Sequence, residues 1–120
     1  MIVEQIWTGN AYRNFNYIVA CPETGEALAI DPLDHEKCLA AAKNNGWSIT
    51  QILNTHEHGD HIGGNGPMVE ATGAKILAHS NGKDCIPNMD LGLNAGDIVN
   101  VGHSVELECL DTPGHTMSHV

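Results

Sequence analysis

The six residues from 56 to 61 contain three histidines and one aspartate, and this cluster constrains the chain more than any other feature. The apolar run 49–53 precedes it, and Gly63 and Gly64 follow it. A strand that ends in such a loop is typical of a metal site, because imidazole and carboxylate groups bind zinc, manganese and iron. A polar surface loop is the alternative interpretation, but four donors in six residues favour metal binding.

The spacing of these donors divides them between two cations. His56 and His58 can converge on one cation from an irregular loop, and Asp60 and His61 can point to a second cation beside it. His115 follows a Pro-Gly turn at the end of another predicted strand. It would complete the first ligand set, and three protein ligands leave one position open, as in a catalytic zinc site. Cations held in this way lower the pKa of bound water and polarise a carbonyl group.

The other histidines give weaker signals. Four of the eight are interpreted as side chains without a metal: His35, His79, His103 and His119. Among these, His79 could still line the site, and His119 invites pairing with His115 because it lies four residues later. Glu57, between two predicted ligands, could orient an imidazole, although exposure to solvent is the favoured interpretation.

The hydrophobic pattern predicts an α/β chain. Strands are predicted at 2–7, 15–21, 26–31, 47–53, 75–78, 97–101 and 105–110, and helices at 34–45 and 66–72. Asp34 can cap the first helix, and Gly46 can end it in the left-handed conformation. The order strand, helix, strand over residues 26–53 implies a right-handed crossover and parallel pairing. Residues 80–96 are predicted to be irregular.

Length and charge limit the class of protein. A chain of 120 residues can form one domain with a hydrophobic core. Its net charge of −10, with only five Lys and Arg, predicts that it binds neither nucleic acid nor an anionic membrane. It has no secretory start and no apolar run of the ~20 residues that a membrane span needs. Its four dispersed cysteines favour reduced, mostly buried thiols in a cytoplasmic protein over a disulfide framework.

The histidine loop resembles a known family signature. Residues 55–61 read T-H-E-H-G-D-H and resemble the T-H-x-H-x-D-H signature of the metallo-β-lactamase superfamily. Further motifs narrow the resemblance to glyoxalase II (hydroxyacylglutathione hydrolase) and its relatives, and they occur in the family's order at 16–19, 29–32, 52–55, 63–65 and 112–116. The likeness covers essentially the whole chain. Sulfur dioxygenases, lactonases and ribonuclease Z share the loop. The motifs therefore identify the superfamily more specifically than they identify the family within it.

The resemblance implies an α/β fold of the metallo-β-lactamase type, an αβ/βα sandwich. Residues 1–120 would be its single N-terminal portion, a mixed sheet with outer helices. By motif, His56, His58 and His115 would bind the first metal, and Asp60 and His61 the second, with Asp60 also the candidate catalytic residue. The implied cofactor is zinc, one or two ions, with iron or manganese as alternatives. The implied reaction is hydrolysis of a thioester, such as an S-acylglutathione, by metal-bound hydroxide.

The chain also departs from the family. After the third histidine motif, family members supply a bridging aspartate and a last histidine for the second metal, and no residue here can take those roles. We therefore expect an N-terminal portion with an incomplete site, or alternatively a natural half-domain completed by association. An uncovered sheet face would promote self-association. The alternative functions are a mononuclear-iron sulfur dioxygenase and a non-catalytic metal-binding or assembly module.

Overall fold

A computed structural model describes all 120 residues. The strands are β1 (Ile2–Trp7), β2 (Phe15–Ala20), β3 (Glu26–Ile30), β4 (Ser48–Leu53), β5 (Lys75–His79), β6 (Leu91–Leu93), β7 (Ile98–Val101) and β8 (Val105–Glu108). The α-helices are α1 (His35–Asn45), α2 (Gly59–Ile62) and α3 (Asn65–Thr72). No helix is both long enough and apolar enough to cross a membrane.

Six strands form one mixed sheet in the order β1-β2-β3-β4-β5-β6. The pairs β1–β2 and β2–β3 are antiparallel, whereas β3–β4, β4–β5 and β5–β6 are parallel. The parallel pairing of β3 with β4, which α1 connects, confirms the predicted parallel pairing. Because β3, β4 and β5 run in the same direction, their carboxyl ends lie at one edge of the sheet, where α/β proteins bind ligands.

The sheet is covered on both faces by different layers. In β3, Ala27 and Ala29 pack towards the helices with Ile52 and Met68. Leu28, between them in sequence, packs on the opposite face with residues of the β7–β8 hairpin. This alternation follows the two-residue period of a strand. A helical layer, a mixed sheet and a second small sheet are the layers expected of the N-terminal part of an αβ/βα sandwich.

The predicted ends of α1 are confirmed. The Asp34 carboxylate accepts a hydrogen bond from the Lys37 backbone N–H at 3.1 Å, and Gly46 has a φ of 72°.

The cysteines also agree with the prediction, because all four are free and three of them are buried.

The longest segment that was predicted to be irregular contains regular structure. Residues 80–96, predicted to be irregular, contain a 3-10 helix, Ser80–Gly82, and strand β6. The backbone N–H of Asp90 donates to the Ile76 carbonyl, and the Asp90 carboxylate accepts from the Ile76 N–H, both at 2.8 Å. These bonds align β6 with β5. A three-residue strand with a central glycine has too short a pattern to be identified from its sequence.

Candidate metal centre

Three segments meet at the carboxyl edge of the sheet. Asp31 follows β3 directly, residues 54–62 follow β4, and residues 111–119 follow β8. The parallel strands β3 and β4 therefore bring the first two segments together. The third segment follows the β7–β8 hairpin, which packs on the sheet face opposite the helices. A backbone hydrogen bond of 3.0 Å from the Val120 N–H to the Thr55 carbonyl joins the second and third segments.

The histidine loop is more regular than its sequence predicts. His56 lies in a bend and His58 is extended, but Asp60 and His61 lie in the short helix α2, with His58 at its N-terminal boundary. The Ile62 N–H donates to the His58 carbonyl at 3.1 Å. The His61 ring still packs against the His56 ring, at a centroid distance of 4.1 Å.

The glycines after the loop allow a close approach of two backbones. A Cβ atom at Gly64 would overlap the Pro32 carbonyl oxygen, and one at Gly63 would lie 2.9 Å from the Gly59 carbonyl oxygen. Only glycine fits where the chain passes so close to the segment after β3. Gly64 therefore allows the histidine loop to lie against the segment that follows Asp31.

Three histidines lie close together in the structure. Ligand atoms of His56, His58 and His115 all lie within 4.8 Å of one another, and Nδ1 of His58 is 3.0 Å from Nε2 of His115. Metal–nitrogen bonds of about 2.0–2.1 Å at tetrahedral angles place ligand atoms about 3.3 Å apart. Because His58 and His115 are exposed and His56 is buried, the cluster opens to solvent on one side. This geometry fits a metal ion with an open position.

Hydrogen bonds assign the tautomer of His56. The Thr55 hydroxyl donates to the Asp31 carboxylate at 2.6 Å, so its oxygen is left to accept from His56 Nδ1 at 2.9 Å. His56 Nε2 then carries a free lone pair. It is the one buried side-chain nitrogen or oxygen that has no hydrogen-bond partner. Burial and the neighbouring His61 lower the pKa of His56 to about 4, so the ring is neutral at pH 7 and ready to bind a cation.

Asp31 organises a second group, and sequence analysis missed it as a site residue. Its carboxylate lies 2.9 Å from His61 Nδ1 and accepts from the Thr55 N–H at 2.8 Å. The hydrogen bond that His61 donates to Asp31 raises the pKa of His61. Ligand atoms of Asp31, His56 and His61 also lie within 4.8 Å of one another. Asp31 adopts a left-handed conformation, with a φ of 47°, which is uncommon outside glycine and indicates a constrained position.

Asp60 lies beside His61 but outside both tight groups. Its carboxylate is 3.4 Å from His61 Nε2, the ring nitrogen that does not face Asp31. Asn14 donates to the Asp60 carbonyl at 2.9 Å and approaches its carboxylate at 3.4 Å. The two donors predicted for a second cation are therefore adjacent, and their role as ligands remains a prediction, as it does for the three histidines.

Two residues with weak sequence signals contact the site. The ring of His119, interpreted as a side chain without a metal, stacks on His56 at a centroid distance of 4.8 Å, and its Nδ1 is 2.8 Å from the Thr112 hydroxyl. Glu57 does not simply face solvent, because it is half-buried and accepts from the Thr116 hydroxyl at 3.1 Å. Both residues join the histidine loop to the segment that carries His115.

The remaining histidines lie outside the cluster. His103 is exposed in the β7–β8 turn, and His35 is half-buried at the start of α1 rather than fully exposed. His79 is buried and bonded to Asp111, so it does not join the cluster.

A buried amide pair fixes the start of the histidine loop. Asn54 and Asn65 exchange side-chain hydrogen bonds of 2.6 and 3.0 Å, and Asn54 also donates to the His61 carbonyl at 3.3 Å. Unpaired buried amides are costly, so this reciprocal pairing specifies one arrangement of β4, α2 and α3. The only sequence signal was an asparagine at each end of the motif.

Known proteins resemble this chain in sequence and fold. It is 68% identical over its whole length to a hydroxyacylglutathione hydrolase of a Polaromonas species and 67% identical to one of Nitrosococcus oceani. It spans 46% of the length of each relative.

Solved structures give the same fold. The crystal structure of ETHE1 from Myxococcus xanthus matches 99% of this chain with a TM-score of 0.85 at 30% identity, over 52% of its own length. The BLEG-1 B3 metallo-beta-lactamase matches 98% of this chain with a TM-score of 0.84 at 21% identity, over 65% of its own length, which supports the fold alone. Residues 17–120 match the family described as the metallo-beta-lactamase superfamily, and the chain therefore belongs to that superfamily.

Proposed function

We propose that this chain carries the metal-binding part of a thioester hydrolase of the hydroxyacylglutathione hydrolase type. The main supporting observation is the buried, unpartnered Nε2 of His56, which lies in a cluster with two further imidazoles. Identity of 68% to a protein named hydroxyacylglutathione hydrolase supports a glutathione thioester as the substrate class. Because the chain spans less than half of that relative, the activity is proposed for the whole protein.

The residues present fit a bound cation. His56, His58 and His115 would hold the first ion, and Asp60 and His61 would contribute to a second. Neutral imidazole nitrogen and carboxylate oxygen suit zinc, with iron and manganese as alternatives. When bound, such ions lower the pKa of a water ligand and polarise the thioester carbonyl.

The chain's own residues orient the ligands. Thr55 accepts from His56 Nδ1 and directs Nε2 into the cluster. Asp31 takes Nδ1 of His61 in the same way and leaves Nε2 towards Asp60, the candidate catalytic residue. Carboxylate and hydroxyl partners of this kind fix ring orientation and strengthen metal binding. Exposure of His58 and His115 leaves a path by which a thioester carbonyl can reach the open position.

Metal analysis and a hydrolysis assay test this function. The product of the complete reading frame that contains these residues should bind zinc and hydrolyse S-lactoylglutathione. His58→Ala should abolish both properties, whereas His103→Ala, which removes an exposed histidine outside the cluster, should leave both intact. Failure of the metal-loaded protein to hydrolyse the thioester would overturn the proposal. Oxygen uptake by an iron-loaded protein without hydrolysis would favour the sulfur dioxygenase.

Two further features are proposed with this function. A reducing, cytoplasmic location is supported by the four free cysteines. Self-association of the 120-residue chain is supported by the side chains of Leu110 and Ile98, which are 63% and 50% exposed beside the second sheet. Sedimentation velocity should detect a dimer that Leu110→Asp weakens, and a monomer at all concentrations would contradict the second proposal.

A further inference from the structure

We infer that His79 is a positioning residue that holds the His115 loop in place through Asp111. His79 ends β5 at the same sheet edge as the candidate metal centre, but it lies outside the centre and only 6% of it is exposed. A buried imidazole needs partners for both ring nitrogens. The proposed function uses His115 as a ligand, so the inference that His79 serves the metal centre depends on that function.

Both ring nitrogens of His79 have partners that define its tautomer. Nδ1 accepts a hydrogen bond of 3.0 Å from the Asn81 backbone N–H, at the start of the 3-10 helix. An accepting Nδ1 carries no proton, so the ring proton lies on Nε2. Nε2 is 3.2 Å from the Asp111 carboxylate and donates to it. The chain that follows β5 thus orients His79 towards one acceptor in the loop after β8.

Asp111 begins the loop that carries His115. The next residue, Thr112, is bonded to His119 by a backbone bond of 3.0 Å and a side-chain contact of 2.8 Å. Between these anchors, the Gly114 N–H donates to the Thr116 carbonyl at 2.9 Å and closes a tight turn around His115. The loop contains no helix or strand.

The His115 ring depends on this anchoring because it is exposed. Its one side-chain hydrogen bond runs to His58, at 3.0 Å. A bond from β5 to Asp111 fixes the start of the loop relative to the sheet, and the sheet also fixes the strand before the histidine loop. His79 therefore fixes the position of the loop that carries His115 relative to the sheet. His115 is the one predicted ligand that lies far from the others in sequence.

Nuclear magnetic resonance of the metal-free 120-residue chain tests the inference directly. Long-range ¹H–¹⁵N correlations should show His79 protonated on Nε2. Asp111→Leu should abolish the nuclear Overhauser effect between His58 and His115 and increase the backbone mobility of residues 112–116. Asp111→Asn keeps an oxygen acceptor and should preserve both signals. Asp84→Leu, which removes an exposed carboxylate elsewhere, is the matched control.

Cobalt titration of the same variants connects the bond to metal binding. Loss of a hydrogen-bond partner behind a ligand set typically weakens metal affinity about 10- to 100-fold, and we expect this loss in Asp111→Leu but not in Asp111→Asn or Asp84→Leu. A wild-type chain that binds no cobalt, but whose resonances respond as expected, would contradict the metal-binding role proposed for this chain and support the positioning role.

Two results would overturn the positioning role. One is a His79 proton on Nδ1. The other is equal behaviour of Asp111→Leu and Asp111→Asn, whether both resemble the wild type or both lose the His58–His115 contact. If Asp111→Leu fails to fold, the tautomer in the wild-type chain and the Asp111→Asn spectra still decide the question.

Discussion

The carboxylate of Asp31 lies 2.9 Å from Nδ1 of His61, although 30 residues separate them in the chain. The same carboxylate accepts from both the backbone N–H and the hydroxyl of Thr55. Asp31 therefore connects the end of β3 to the start and the end of the histidine loop. The donors to this buried carboxylate are Thr55 and His61, which belong to the histidine loop. The same hydrogen bonds fix the conformation of that loop.

Asp31→Asn should destabilise the metal-free protein. The introduced amide group would place an N–H donor where the Asp31 carboxylate now accepts hydrogen bonds from Thr55 and His61. At least one charge-assisted hydrogen bond is therefore lost. Such bonds contribute about 1.5–3 kcal/mol each, and we expect the free energy of unfolding in urea to fall by about 2–3 kcal/mol. Asp84→Asn should change it little, since Asp84 is exposed. Equal stability of both variants would contradict the anchoring role.

Gly64→Ala tests the close approach of the loop to the end of β3. The added methyl group would overlap the Pro32 carbonyl oxygen, which belongs to the backbone and cannot rotate away. Overpacking of this kind costs about 1–3 kcal/mol, measurable by urea or thermal unfolding. Gly59→Ala is the matched control, because a Cβ there meets no atom within 4 Å. A Gly64→Ala protein as stable as the control would contradict the steric argument.

The sequence predicted those parts of the site whose residues lie close together or at an obvious strand end. The His56–His61 cluster and the helix ends at Asp34 and Gly46 depend on local patterns. The position of His115 followed from a Pro-Gly turn after a strand. Local signals of this kind are retained in the fold because they act over a few residues.

Asp31 could not be identified in this way. It is one of fifteen acidic residues, and although residues 29–32 contribute to the family resemblance, no cluster of donors beside Asp31 marks it as a site residue. Its role depends on the register of β3 against β4 and on the backbone approach at Gly64, which are properties of the tertiary structure. The contact of His119 with His56 has the same origin, since it depends on how the loop after β8 returns to the sheet.

Metal binding should stabilise the folded chain by mass action. A ligand at about 100 times its dissociation constant adds about 2.7 kcal/mol to the free energy of unfolding, so zinc should raise the midpoint of thermal unfolding and a chelator should reverse the rise. His56→Ala should abolish this zinc-dependent shift, because it removes the buried nitrogen at the centre of the cluster. His103→Ala should retain it. A shift that persists in His56→Ala would contradict the ligand assignment.

The metal-free protein should lose stability as the pH falls from about 6.5 to about 4. The pKa of His56 is lowered from 6.5 to about 4 by burial and by His61. As the pH falls through this range, the unfolded chain takes up a proton at His56 that the folded chain does not. Where the unfolded state binds more protons, a fall in pH lowers the free energy of unfolding. The loss should be on the order of 1–3 kcal/mol.

His61 does not offset this loss within the same range. Its pKa is raised, chiefly by the hydrogen bond to Asp31, so its stabilising contribution is already complete below the unfolded value and disappears only as the pH rises through the raised pKa. Urea unfolding of the chelator-treated protein at several pH values measures the slope. His56→Gln, which cannot titrate, should flatten it, and His103→Gln should leave it unchanged. If His56→Gln keeps the wild-type slope, the acid sensitivity has a source other than the buried imidazole, and the assignment of a neutral His56 loses its support.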